Sequence, residues 1–216
     1  MLFNTPTTVA LVLLSIGAIV AAPVLIKGFT RRGKGVKYEQ NFLIQRAPQL
    51  MTLVNVLLIT ASILAYNSLA GMSTLVPFFA LTSTAPTGAA LIISWLGVAI
   101  LLSGLIFMIG GWYSLGEFFS TDAEVMDNHT VRDTGLLSFV MHPAYSGIIQ
   151  SLLGTSLAAT SPVSALFTVC VVAPLWLRRA KYEERLLIEA LGQSYKDYAE
   201  NMKWRRLVPR FFPIGV

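Results

Sequence analysis

Charge is what this sequence withholds. No Asp, Glu, Lys or Arg occurs in residues 1–26, 47–116 or 134–177. Charged residues make up 12% of the chain, against roughly 25% in an ordinary soluble domain. With 55% hydrophobic residues and a mean hydropathy of +0.66, this deficit excludes a water-soluble globular fold and predicts a membrane protein. Cysteine is nearly absent as well. Cys170 stands alone, which excludes an internal disulfide and leaves it as a small packing residue in an apolar segment. No Gly-x-Gly-x-x-Gly follows a strand and no P-loop is present, so the soluble nucleotide folds are excluded. The two histidines, His129 and His142, lack metal-ligand spacing and have no cysteine near them, so no metal is expected. Repeats of fixed period and paired broken helices are missing too, which argues against an inverted-repeat transporter. No Lys or Arg precedes the first apolar segment, against a secretory signal peptide.

What is present is a series of apolar runs. Five are expected to cross the bilayer: Thr8–Ile26, Leu50–Leu69, Gly88–Gly111, Leu136–Thr160 and Pro162–Leu177. About 20 apolar residues span a hydrocarbon core. The first four suffice, and the fifth reaches by extending through Arg178 and Arg179, whose side chains can snorkel. A sixth run, Gly71–Ser83, contains Pro77 and suits an interfacial or re-entrant piece. The expected fold is therefore an all-α integral membrane bundle. Residues 1–114 would form a three-span scaffold. Residues 115–216 would carry two spans and an interfacial C-terminal tail.

Orientation follows from the bases. Five crossings place all 16 Lys and Arg residues on one side, which the positive-inside rule makes the cytoplasm, in a cell's inner (plasma) membrane. The N-terminus is then outside and the C-terminus inside. A net charge of +5 reads as anchoring to anionic lipid, with no nucleic acid as partner. Gly88, Gly97, Gly104, Gly110 and Gly111 suit close helix packing along the third span. Trp95 and Trp112 suit its two interfaces. Past the fifth span, Gly192 should cap a helix. Tyr195, Tyr198 and Trp204 then offer aromatic anchors beside Arg205, Arg206 and Arg210.

One ionisable residue falls inside an expected span. His142 lies in Leu136–Thr160, next to Pro143 and Tyr145, and an intramembrane ionisable group points to function. The short turn at Ser161-Pro162 brings the fifth span back antiparallel. Its end returns Glu183 and Glu184 to the face that holds His142, Tyr145 and the loop residue His129. Such a pocket suits a ligand with an apolar body and several hydrogen-bonding groups. Each residue also has a plainer reading. His142 could bond a carbonyl freed by Pro143, and Tyr145 could be a packing aromatic. The two glutamates could pair with Arg178, Arg179 or Arg185 at a helix end. His129 could be incidental.

The run His129-Thr130-Val131-Arg132-Asp133-Thr134-Gly135, followed by His142-Pro143-Ala144-Tyr145, resembles the isoprenylcysteine carboxyl methyltransferase and phospholipid methyltransferase superfamily. So do Glu183-Glu184 with Leu187, then Leu191-Gly192, Tyr195, Tyr198 and Arg206-Leu207-Val208-Pro209. The family pattern is His-x-Leu-Val-x-x-Gly-x-Tyr, then Arg-His-Pro-x-Tyr, then Glu-Glu-x-x-Leu. The resemblance covers roughly Leu115–Pro209. It implies S-adenosylmethionine-dependent methyl transfer to a lipophilic small-molecule or lipid acceptor that enters from the bilayer. By position, it implies that His129, Val131 and Gly135 line the adenosine side. His142 and Tyr145 would hold the methionine part, and Glu183 and Glu184 would meet polar groups of cofactor or substrate. His142, Tyr145 and Glu184 are the implied catalytic residues. Leu136 and Leu137 replace the family's Pro and Tyr, and Ser138 and Met141 replace its arginines. Arg132, Arg178 or Arg179 are candidates for the lost charge. Three rival functions share parts of this pattern: phospholipid amine N-methylation, NADPH-dependent sterol or enone reduction, and non-catalytic lipid binding.

Overall fold

The structure is a computed structural model. It describes residues 4–38, 41–68, 86–202, 204–205 and 207–209. The expected patch Gly71–Ser83 lies outside these residues, as do Arg206 and Arg210. The helices are α1 (Thr5–Arg31), α2 (Phe42–Gln45), α3 (Ala47–Ser68), α4 (Gly88–Leu115), α5 (Pro143–Ala158), α6 (Pro162–Phe167), α7 (Ala173–Leu191) and α8 (Gln193–Asn201). A π-turn, Thr168–Val172, joins α6 to α7. Two short antiparallel ribbons complete the described chain: β1 (Lys37–Tyr38) with β2 (Glu124–Val125), and β3 (Trp204–Arg205) with β4 (Val208–Pro209).

Four helices among the described residues are long and apolar enough to cross a membrane. They are Thr5–Arg31, Ala47–Leu64, Gly88–Phe118 and Pro162–Leu191. The expected span Leu136–Thr160 is different. Only Pro143–Ala158, 16 residues, is α-helical, about 24 Å at 1.5 Å per residue and short of a 30 Å core. The chain before it forms a 3₁₀ turn, Gly135–Ser138, opened by Gly135 at φ +61°. Pro143 neither bends nor interrupts a helix here. It occupies the first helical position, where its missing N–H costs nothing and its fixed φ suits the entry. His142 is therefore held in front of α5 and not one to three turns inside a span, because a residue preceding proline is disfavoured in helical conformation.

The chain forms two compact units. The first comprises Met1–Gly17, Gln49–Leu105 and Ile148–Pro174. Its helices meet through small residues. A side chain on Gly97 would press on the backbone of Gly154 and Ala158, and one on Gly104 on that of Ser151. The expected close packing of α4 against α5 is realised at these two glycines, while Gly88 faces open space at the helix start. Neutral hydrogen bonds tie the unit together. Asn55 Nδ2 donates to Thr168 Oγ1 (2.6 Å), Ser103 Oγ to Gln150 Oε1 (2.8 Å), and Thr7 Oγ1 to the Ala158 carbonyl (3.0 Å). Cys170 is an exposed free thiol.

The second unit comprises Ala18–Pro48, Ile106–Gly147 and Leu175–Val216. The segment after α1 docks on residues 120–125. Tyr38 pairs with Glu124 in the β1–β2 ribbon. The Gln45 side chain clamps Ala123, donating to its carbonyl and accepting from its N–H, both at 2.9 Å. Glycines again allow close approach: Gly111 lies against the backbone of Ala144 and Gly110 against Leu136.

Candidate active site

The site lies wholly within the second unit. His142 is buried, and its carbonyl accepts the Ser146 N–H of α5 (3.1 Å). Its imidazole sits between two acids, with Nδ1 3.4 Å from Glu183 Oε2 and Nε2 3.4 Å from Glu184 Oε1. Burial alone would depress its pKa, but the hydrogen bonds and charges of Glu183 and Glu184 outweigh burial and raise it to about 9. The two acids favour the protonated ring. Tyr145, three residues on, stacks parallel to it at 5.3 Å. The Tyr145 hydroxyl donates to Glu183 Oε2 (2.8 Å), so one carboxylate oxygen serves both side chains.

Arg179 stands one helical turn before Glu183 and on the same face of α7. It is 2% exposed. Its Nε donates to the Tyr145 hydroxyl (3.0 Å) and its two terminal nitrogens to the carbonyls of Gln45 and Thr121, each at 2.9 Å. The guanidinium also lies over the rings of Tyr145 and Trp176. Sequence reasoning offered Arg179 only as a possible stand-in for a lost ligand arginine. In the structure all of its nitrogens are committed to the protein, tying α7 to two loops.

A second charge cluster adjoins it. Asp122 accepts from Arg46 (2.7 Å) and Arg32 (3.3 Å). Burial pushes its carboxyl up, yet the Arg46 hydrogen bond and the charges of Arg46, Arg32 and Arg179 hold it below the usual carboxylate value. Glu124 accepts the backbone N–H groups of Gly33 (3.1 Å) and Gly35 (2.8 Å) and bonds Ser120. The sequence contained a signal for this docking, a basic loop at 27–46 and an acidic one at 117–133, but the pairing of Asp122 and Glu124 was missed.

These groups border an open pocket of about 830 Å³ of empty space, its mouth included. Trp112, Phe118, Phe119, Leu187 and Leu191 give apolar wall, and His129, Val131, Arg132, His142, Tyr145 and Glu183 also line it. His129 stacks on Phe118 (4.3 Å, 10°). Burial, opposed by the Glu183 charge, keeps it below the ordinary histidine value. Of the residues singled out from sequence, two fall outside the lining. Glu184 reaches the site through His142, and Gly135 serves the turn into the 3₁₀ segment. Trp112 lines the pocket. Tyr195 and Tyr198, expected as membrane anchors, also turn inward. Gly192 (φ 61°, ψ −131°) separates α7 from α8. Tyr195 then packs with Met141 and Met202, and the Tyr198 hydroxyl donates to the Leu137 carbonyl (2.7 Å). No cluster of three His, Cys, Asp or Glu residues that could hold a metal occurs among the described residues.

Four membrane-length helices among the described residues place the chain in the class of integral membrane proteins. Comparison narrows the class. Residues 95–189 match the model of the isoprenylcysteine carboxyl methyltransferase family. Protein-S-isoprenylcysteine O-methyltransferase B of Arabidopsis thaliana is 27% identical over 112 residues, 51% of this chain and 57% of the relative. Protein-S-isoprenylcysteine O-methyltransferase A of the same plant is 32% identical over 76 residues, 35% of this chain and 39% of the relative. Protein-S-isoprenylcysteine O-methyltransferase of Saccharomyces cerevisiae is 27% identical over 105 residues, 48% and 44%. The matches span about half of the length of these relatives at most.

Proposed function

We propose that this chain is an integral membrane methyltransferase that uses S-adenosylmethionine to methylate the carboxylate of an isoprenylcysteine or a closely related lipophilic acceptor. The observation that carries this reading is the joining of His142, Tyr145 and Glu183 on one pocket wall, within the stretch that matches the family. The relatives' names favour it over NADPH-dependent reduction, phospholipid amine methylation and non-catalytic lipid binding.

The pocket suits the cofactor on its own chemistry. It offers the Glu183 carboxylate beside His142 and Tyr145, and apolar walls at Trp112, Leu187 and Leu191. Three buried nitrogens of lining residues, His129 Nδ1, Arg132 Nε and His142 Nε2, have no hydrogen-bond partner among the described residues. Val131 would hold the adenosine side, His142 and Tyr145 the methionine side, with Gly135 shaping the turn behind them. When bound, S-adenosylmethionine supplies a sulfonium methyl group that an aligned nucleophile can take by in-line displacement. The protein's part is to hold the acceptor aligned and exclude water. The state of His142 bears on which acceptor that is. An imidazolium between two acids has no lone pair free for an amine's proton. A carboxylate acceptor needs no proton removed, so His142 and Glu184 act by fixing Glu183 and its charge. We place the charged face of the protein, and the pocket, toward the cytoplasm, with the acceptor entering from the bilayer. Residues 115–216 carry the chemistry and residues 1–114 the scaffold.

Calorimetry on the full chain in detergent tests this reading. S-adenosylmethionine and S-adenosylhomocysteine are expected to bind, and His142→Ala or Glu183→Gln to weaken both by about tenfold or more, the loss of a charge-assisted contact. Labelled methyl should then pass to N-acetyl-S-farnesylcysteine. Binding of NADPH instead, or of no adenosine compound, overturns the assignment.

A further inference from the structure

His129 and Arg132 both pack on the ring of Phe118, with the guanidinium 4.9 Å from its centre. A buried polar atom left unpaired is costly, and here two, His129 Nδ1 and Arg132 Nε, lie within four residues of each other beside one cavity. Arg132 differs from the other cations nearby in being uncommitted to the interior. Arg179 is taken up by Tyr145, Gln45 and Thr121, Arg32 and Arg46 by Asp122, and His142 by two glutamates. Arg132 has one ionic partner, Glu117, whose side chain is 66% exposed, and a solvent-screened pair of this kind holds its members weakly. Among the described residues lining the pocket, Arg132 is the single Arg or Lys. The positions at which the family pattern has arginine cannot supply a cation here. Met141 is buried in an apolar cluster, and the Ser138 hydroxyl is turned onto the Gly135 carbonyl (2.7 Å). Arg132 itself stands where that pattern has Val.

We propose that Arg132 and His129 form a carboxylate-binding corner of the pocket that takes the carboxylate of an α-amino acid. The inference rests on the methyltransferase reading above. It leaves two carriers for that group: the methionine end of the cofactor and the cysteine end of the acceptor. Guanidinium presents paired donors to a carboxylate, and the Nδ1–H tautomer of His129 adds a third.

Two probe pairs separate these carriers in calorimetry on the full detergent-solubilised chain. One is S-adenosylhomocysteine against its decarboxylated analogue. The other is N-acetyl-S-farnesylcysteine against its methyl ester. The chain is expected to favour the carboxylate member of one pair by about tenfold or more. Arg132→Gln should erase that preference while leaving the affinity for the carboxylate-free member unchanged, and Arg132→Lys should restore part of it. Glu117→Gln removes the competing acid and should tighten the carboxylate-bearing probe alone. Preference within the first pair assigns the corner to the cofactor, and preference within the second assigns it to the acceptor. Equal binding within both pairs, an Arg132→Gln that weakens all probes alike, or a Glu117→Gln that loosens the carboxylate probe overturns the corner. In those cases binding of S-adenosylhomocysteine still upholds the methyltransferase reading. If the chain binds none of the probes, that reading falls and the corner falls with it.

Discussion

The two units solve the problem of interior polarity in opposite ways. The first contains no Asp, Glu, Lys, Arg or His at all. Its buried polar groups are hydroxyls and amides, such as Asn55, Ser62, Ser164 and Thr168, bonded to one another or to carbonyls a turn away. The second contains every charged residue of the chain. It buries several of them in shared contacts: Asp122 under two arginines, His142 between two acids, Arg179 across Tyr145 and two loops. Neutral groups tolerate an apolar setting with one good partner each. Ions need several, because an uncompensated buried charge is far more costly than an unpaired hydroxyl. The charged unit is therefore the one whose parts are most interdependent, and it holds the pocket.

That contrast can be broken most sharply at Arg179. Arg179→Met leaves three acceptors without their donor and should cost about 3–5 kcal/mol. The loss should appear as a lowered unfolding midpoint in detergent, together with loss of S-adenosylhomocysteine binding. Gly154→Val tests the neutral unit. Its side chain would press on the backbone of Leu101, and overpacking of this kind costs about 1–3 kcal/mol. A thermal-shift assay should show that loss with ligand affinity at the pocket little changed. Acid should separate the units without mutation. Asp122 titrates below the ordinary carboxyl value, so its contribution to stability is present above that value and is lost as pH falls through it toward the lower folded one. The first unit has nothing to titrate there. Fluorescence of Trp112 and Trp176 should change in that window while Trp95, in the first unit, stays unchanged, as single-tryptophan variants can show. The smallest effect is expected at Asn55→Leu, about 0.6 kcal/mol and below about 1.7, the range for hydrogen bonds between membrane helices.

Charge segregation made the long helices legible, because a run without ions must either cross a membrane or pack inside a core. The meeting of His142 and Tyr145 with Glu183 and Glu184 was legible for a related reason, since a short turn at Ser161 leaves two adjoining segments little choice of neighbour. The structural role of Pro143 was not. An apolar stretch containing proline reads as one bent span, and only the turn geometry from Gly135 onward shows a helix that starts late. The Asp122 and Glu124 contacts join residues some eighty to ninety positions apart, for which no local periodicity exists. Tyr195 and Tyr198 misled because a tyrosine in a basic tail has the same composition whether it meets lipid headgroups or a protein carbonyl.

At Gly192 the backbone takes a conformation that a side chain would strain. The helix that follows it, with Tyr195 and Tyr198 of the pocket lining, is aimed by that one residue. Substituting alanine there removes no contact, yet it would steer the following helix onto another course and leave the cavity ajar. A carbon atom far from any reacting group would thereby decide whether the chemistry happens in a dry room or in the rain.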